Sequence, residues 1–195
     1  MKLRHAHKGQ AGFTMIEVLV SLIILLFGLL GLAGLQSLAQ KAETESYQRV
    51  QALVLLRDMA DRINANRVVA GNYVTGTTST TAMGKGSTKD CTGPTSTVDI
   101  DLCQWDAALK GAAESAGGTC NETTGANCVG AMIAARGCIT SPAANQYLIQ
   151  VVWQGLTKTA APPTTVTCGS GAYGTESLGL RRAITTVVQI GTITP

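Results

Sequence analysis

Apolar residues are spaced differently in successive stretches of this 195-residue chain, and the spacing predicts its elements. From Gly12 to Gln36 the sequence GFTMIEVLVSLIILLFGLLGLAGLQ is apolar at nearly every position, and no formal charge occurs from Val18 to Gln40. About 20 such residues suffice for a helix that crosses a bilayer. From Ser37 to about Arg67 the run turns amphipathic. Leu38, Ala42, Val50, Leu53, Leu56, Ala60 and Ile63 recur at three- and four-residue steps. Glu45 with Arg49, Arg57 with Asp61, and Asp58 with Arg62 stand four apart, a spacing worth a few tenths of a kcal/mol per pair on an exposed face. No proline interrupts the run, so one helix from Phe13 to about Arg67 is predicted.

After Gly71 the pattern changes. Residues 71–97 are Thr, Gly and Ser with few apolar anchors and read as a loop. A short helix, capped by Asp99 or Asp101, is predicted through Leu102, Trp105, Leu109 and Ala112, with Trp105 in the core. Residues 115–130 read as loop again. Gln146–Gln154 alternates, with Tyr147, Ile149, Val151 and Trp153 on one face, and predicts a strand. Arg182–Ile193 is rich in Ile, Thr and Val and predicts a second, opened by solvated Arg181 and Arg182. Gly137–Thr140 supplies a third, and Pro162 and Pro163 belong to a loop between strands. A helix followed by an antiparallel sheet is an α+β arrangement.

Charge and cysteine placement sharpen the picture. Fifteen basic residues stand against twelve acidic ones, and three of the basic ones, Lys2, Arg4 and Lys8, precede Gly12. The remainder is formally neutral, which argues against a nucleic-acid footprint. Basic residues ahead of the apolar run place the N-terminus in the cytoplasm and the rest of the chain beyond the inner membrane. All six cysteines, Cys91, Cys103, Cys120, Cys128, Cys138 and Cys168, follow the run. None forms a C-x-x-C pair, so disulfides in an oxidising compartment fit better than a metal site. About 15 connectivities are open, with Cys120 and Cys128 spaced for local closure.

Catalytic chemistry is sparse. Both histidines, His5 and His7, lie in the leading segment, and no G-x-S-x-G, Walker A or calcium-loop motif occurs. Asp99 and Asp101 make a poor calcium pair, and Asn121-Glu122-Thr123 is a frequent chance match to a glycosylation acceptor. The sequence points to no enzyme, cofactor or metal.

A secretory signal carries small residues after its apolar core. Here Ala11 and Gly12 come before it, so a cut after Gly12 removes the basic leader and keeps the helix. Gly12-Phe13-Thr14-Met15-Ile16-Glu17-Val18-Leu19-Val20 resembles the prepilin cleavage and methylation motif of type IV pilins. That resemblance implies cleavage by a prepilin peptidase between Gly12 and Phe13, N-methylation of Phe13, and a subunit-assembly role for Glu17, which pairs with the terminal amine of a neighbour. EVLVSLIILLFGLLGLAGLQ together with LLRDMADRINANR is similar to the PilV group of minor pilins, over residues 12–67 and again in short C-terminal pieces. Gly34 stands where major pilins commonly carry a kinking proline.

The resemblance implies a pilin-like fold, with a long N-terminal helix packed on a C-terminal antiparallel β-sheet. Its parts are a leader at 1–12, a transmembrane and assembly helix at 13–40, an amphipathic continuation at 41–70, and a periplasmic domain at 71–195. Expected partners are major and minor pilins, the prepilin peptidase and the inner-membrane assembly machinery. Gly28, Gly31 and Gly34 suit close helix packing in that setting. A minor pseudopilin of a type II secretion system shares the same signature. A pilus-displayed adhesin stays open through the Thr-rich loop.

Overall fold

The computed structural model describes residues 12–78, 80–112, 132–175 and 179–191. Cys120, Cys128, Asn121 and the predicted loop at 115–130 lie outside the described residues. The chain divides into two compact units, Met1–Glu43 and Thr44–Pro195. Helix α1, Met15–Ala65, contributes to both. In the first unit it is exposed throughout.

In the second unit α1 buries Gln48, Ala52, Leu55, Leu56, Met59 and Ile63, at helical three- and four-residue steps. The predicted stripe shares Leu56 and Ile63 with this face, Ala60 packs beside it half-buried, and Val50 is instead 57% exposed. The helix is apolar over a wide arc here, and two stripes overlap. The line through Val50 and Val54 continues into Arg57 and Asp61, whose charges are expensive to bury. The line through Leu55 and Met59 meets charge only at its two ends, Glu45 and Arg62, and each is paired there. A 3₁₀ segment, Arg67–Tyr73, follows and buries Ala70 and Tyr73.

Helix α2 spans Thr97–Lys110. Its cap is Ser96, not the predicted Asp99 or Asp101. The Ser96 hydroxyl accepts from the Asp99 N–H at 3.1 Å and donates to the Asp99 carboxylate at 2.8 Å. Asp99 thus takes the third position of a capping box. Gly111, at φ 83°, closes the other end in the left-handed region.

The four-stranded antiparallel sheet has the order β1-β2-β3-β4, with β1 Met83–Gly84, β2 Ile133–Ala143, β3 Gln146–Gln154 and β4 Arg181–Gln189. The prediction for β3 holds at both ends. β2 runs further than Gly137–Thr140, and β4 stops short of Ile193. β1 falls in the stretch read as loop. Two residues are too few to show a period, and β1 is placed by tertiary bonds. Its Gly84 N–H donates to the Asp106 carboxylate of α2 at 2.6 Å. Gly84 sits at φ 91°, and a side chain there would meet the Ala135 carbonyl at 2.4 Å.

The main core lies between the sheet and the helices, around Trp105, Tyr73, Met59, Ile63, Ile149 and Val151. Trp105 is fully buried, as predicted, and its indole N–H donates to the Leu55 carbonyl at 3.0 Å. A second cluster covers the other face of the sheet with Ala82, Cys138, Val152, Cys168 and Tyr173. β3 therefore buries Gln150 and Val152 as well as its predicted face. A disulfide from Cys138 on β2 to Cys168 pins the covering segment, and the Gln150 side chain accepts from the Cys168 N–H at 3.2 Å. A second disulfide, Cys91–Cys103, fastens the loop after β1 to α2.

Gly137 on β2 lies under the Trp105 ring. A Cβ there would come within 2.3 Å of the ring and 2.7 Å of Leu109. Gly137→Ala should destabilise the chain by about 1–3 kcal/mol through overpacking, read as a lower unfolding midpoint in denaturant. An unchanged midpoint would mean that the ring can shift at no cost.

Candidate assembly interface

The resemblance implies cleavage between Gly12 and Phe13, methylation of Phe13 and a subunit-assembly role for Glu17. Gly12 and Phe13 are exposed and precede the helix, which opens at Met15. The Thr14 carbonyl accepts from the Glu17 N–H at 3.1 Å, and Glu17 stands in the first turn. There its charge complements the positive end of the helix dipole. The Ser21 hydroxyl donates to the Glu17 carbonyl at 2.7 Å. Among the described residues no cation reaches the Glu17 carboxylate.

From Phe13 to Leu38 the large apolar side chains point outward in every direction, Phe13 at 82% and Phe27 at 71% exposure. Among the described residues nothing would touch a side chain added at Gly28, Gly31 or Gly34. A helix apolar on all sides belongs in lipid or in the middle of other helices. This is the one helix among the described residues long and apolar enough to cross a membrane.

In the second unit, two polar anchors flank the buried face of α1. Near its start, one carboxylate oxygen of Glu45 accepts from the Leu156 N–H at 3.0 Å, the Thr157 N–H at 3.0 Å and the Thr157 hydroxyl at 2.8 Å. The Arg182 guanidinium lies 3.3 Å away. The expected Glu45–Arg49 pair is replaced by this clamp. Partial burial pushes the Glu45 carboxyl up, but the Thr157, Arg182 and Leu156 contacts together hold it below its ordinary value.

At the other end Arg62 donates to Asp58 at 2.9 Å, to Asp101 at 2.7 Å and to Gln104 at 2.7 Å. The Asp58–Arg62 pair is the one the sequence predicted. Asn66 donates to Asp101 at 3.2 Å and to the Tyr73 hydroxyl at 2.7 Å, and that hydroxyl donates to Asp101. Burial and the Asp101 carboxylate push the Tyr73 phenol up to about 12. Asp101 thus joins α1, the 3₁₀ segment and α2. Asp99 turns elsewhere, to Lys89 at 2.7 Å and Ser96, so the two aspartates do not converge.

Arg181 and Arg182 are not the solvated pair that the sequence suggested. Arg181 is buried and donates to the Val166 and Cys168 carbonyls at 2.8 and 2.9 Å. Arg182 donates to the Gly179 and Thr157 carbonyls at 2.9 and 2.6 Å. Free carbonyls in turns draw the guanidiniums inward, a demand that no local pattern displays.

Comparison with known proteins bears on both units. Residues 7–33 match the family described as the prokaryotic N-terminal methylation motif, which covers the leader junction and most of the exposed apolar helix. Residues 34–108 match the family described as Type IV pilin Tt1218, from the end of that helix through α2 nearly to its close. Neither model spans half of the chain, and with this fold the two matches together support a type IV pilin, in the sense that includes pseudopilins. The motif and the apolar helix fit a membrane-anchored pilin. No curated protein and no solved structure matches the chain.

The Glu45 clamp sets an acid limit on the second unit. An ordinary glutamate titrates near 4.5 and Glu45 is held lower. Its stabilisation is therefore full above that value and is lost as pH falls through the folded-state value. Glu45→Gln should lower stability at neutral pH and flatten the loss below about pH 4.5, as followed by thermal unfolding across pH. Parallel acid limbs for both proteins would show that Glu45 contributes nothing there.

Proposed function

We propose that the chain is a minor pilin of a type IV pilus, of the PilV-like group, made as a prepilin and acting in pilus assembly or initiation. In this reading the leader 1–12 stays in the cytoplasm and the C-terminal unit stands in the periplasm. The peptidase cuts after Gly12, and Phe13 becomes the methylated N-terminus. The single observation that carries the proposal is the apolar helix, exposed on all sides and opened by one carboxylate, Glu17, that no cation among the described residues reaches.

A charge at the centre of a membrane helix costs on the order of 2.5–3.5 kcal/mol on insertion scales. Glu17 is the fifth residue after the cut, only about 6–7 Å along the helix at roughly 1.5 Å per residue, so its cost is smaller. A neighbour's α-amino group offsets it when the two meet. Among incoming subunits, the one in correct axial register makes that pair. Lipid and neighbouring helices cover the same apolar surface, so transfer from membrane to filament costs little. The proposed role is assembly, not catalysis. A minor pseudopilin of a type II secretion system fits the same N-terminal motif, and neighbouring genes for pilins or for a secretion ATPase separate the two.

Mass spectrometry of the N-terminal peptide, with and without the prepilin peptidase, tests processing. A peptide beginning at N-methylated Phe13, present only with the peptidase, is expected. An intact Met1 terminus in both strains would reduce the helix to an ordinary anchor. Glu17→Ala should be processed normally and recovered poorly in filaments, while normal recovery would remove the assembly role from Glu17.

A further inference from the structure

The sheet ends differently on its two sides. At one side β1 is only two residues long, and its Gly84 N–H is taken up by α2. At the other side β4 runs for nine residues and pairs with β3 residue for residue, without a register shift. Alternate backbone N–H and C=O groups of such a strand point away from its neighbour. Among the described residues, nothing but β3 bonds to the backbone of Ala183–Gln189.

Exposed edges are ordinarily blunted by lysine, proline, a bulge, an inward charge or short length. Ala183-Ile184-Thr185-Thr186-Val187-Val188-Gln189 has none of these. The two arginines before it are spent on carbonyls and Glu45. Thr185 and Val187 are exposed, Val187 at 55%. Beside the first half of the strand lies a groove of about 390 Å³, lined by Pro162, Pro163 and Val166 opposite Arg181, Arg182, Ala183 and Thr185.

We propose that the β4 edge is a strand-addition site for an extended, uncharged segment of another pilin subunit. The proposal rests on the assembly reading above. A row of donors and acceptors at two-residue spacing is matched in full by extended backbone, and the groove beside it receives a side chain for selectivity. Ala183–Gln189 carries no charge, and the two arginines at the groove are engaged with carbonyls and Glu45, so the site favours an uncharged segment.

The test uses the full-length chain in cells that build the filament. Val187→Lys places a charge on the edge, and Val187→Thr keeps a strand-favouring residue without one. Recovery of Val187→Lys in filaments should fall roughly five- to thirtyfold below Val187→Thr, the loss that follows from one or two kcal/mol. A photo-crosslinking residue at Thr185, with Val187 intact, should join to an uncharged extended segment of a different pilin. Equal recovery of the two Val187 variants, a crosslink to β4 of another copy, or no protein crosslink would overturn the proposal. The N-terminal peptide is read in the same cells. A mature Phe13 terminus with silent edge probes removes this site alone, whereas an unprocessed terminus removes the assembly reading and this site with it.

Discussion

Trp105 sets the positions of three elements at once. Its indole N–H is committed to the Leu55 carbonyl of α1, its ring lies on Gly137 of β2, and its backbone belongs to α2. Apolar burial is non-directional and would tolerate α2 at several positions along α1. The indole bond removes that freedom, because a buried N–H without a partner costs about 1–3 kcal/mol. The bare Cα of Gly137 then fixes the distance from helix to sheet. Asp106 follows from this placement, one residue along α2. It accepts from Gly84 and pairs with Lys110 at 2.5 Å, and so holds the edge strand β1.

The polar anchors complete what packing leaves free. Between Glu45 and the Arg62–Asp101 group, the buried face of α1 is apolar apart from Gln48. Such a face resists separation better than sliding. Glu45 grips the turn after β3, and Arg62 and Asn66 grip α2 through Asp101. A shift of α1 by one helical turn would break both sets together. Charge-assisted bonds contribute about 1.5–3 kcal/mol each when well enclosed, and less at partly exposed Glu45. Their direction, more than their strength, defines the register.

These features differ in how far the sequence announces them. The long helix, β3 and the core position of Trp105 are written locally, in an unbroken apolar run, a two-residue alternation and a lone aromatic on an apolar face. The N-terminal motif is local too. The covered second face of β3 is not, because it depends on a segment pinned by a disulfide 30 residues away in sequence. The stripe on α1 was ambiguous because Val50, Leu53, Val54, Leu55 and Leu56 spread apolar surface over a wide arc, and the rest of the fold chose among them. The Glu45 clamp joins residues 111, 112 and 137 apart. Arg181 and Arg182 answer carbonyls that exist only once the turns have formed. Long-range satisfaction of polar groups has no periodic signature, so charge patterning alone misassigned both arginines and the Glu45 partner.

A pilin that leaves a membrane for a filament exchanges the surroundings of its apolar helix while its globular part stays folded. The residues of both core clusters begin at Ala52, and neither draws on the first unit. Among the described residues two disulfides lie in the second unit. The Cys138–Cys168 loop alone removes enough freedom from the unfolded chain to contribute about 3–4 kcal/mol in the chain-entropy account. Stability of the second unit is thus generated within Thr44 onward, by packing, anchors and cross-links. Its fold does not draw on whatever covers Phe13 to Leu38. On the assembly reading, lipid gives way to neighbouring helices around the first unit while the core of the second, built from Ala52 onward, is kept.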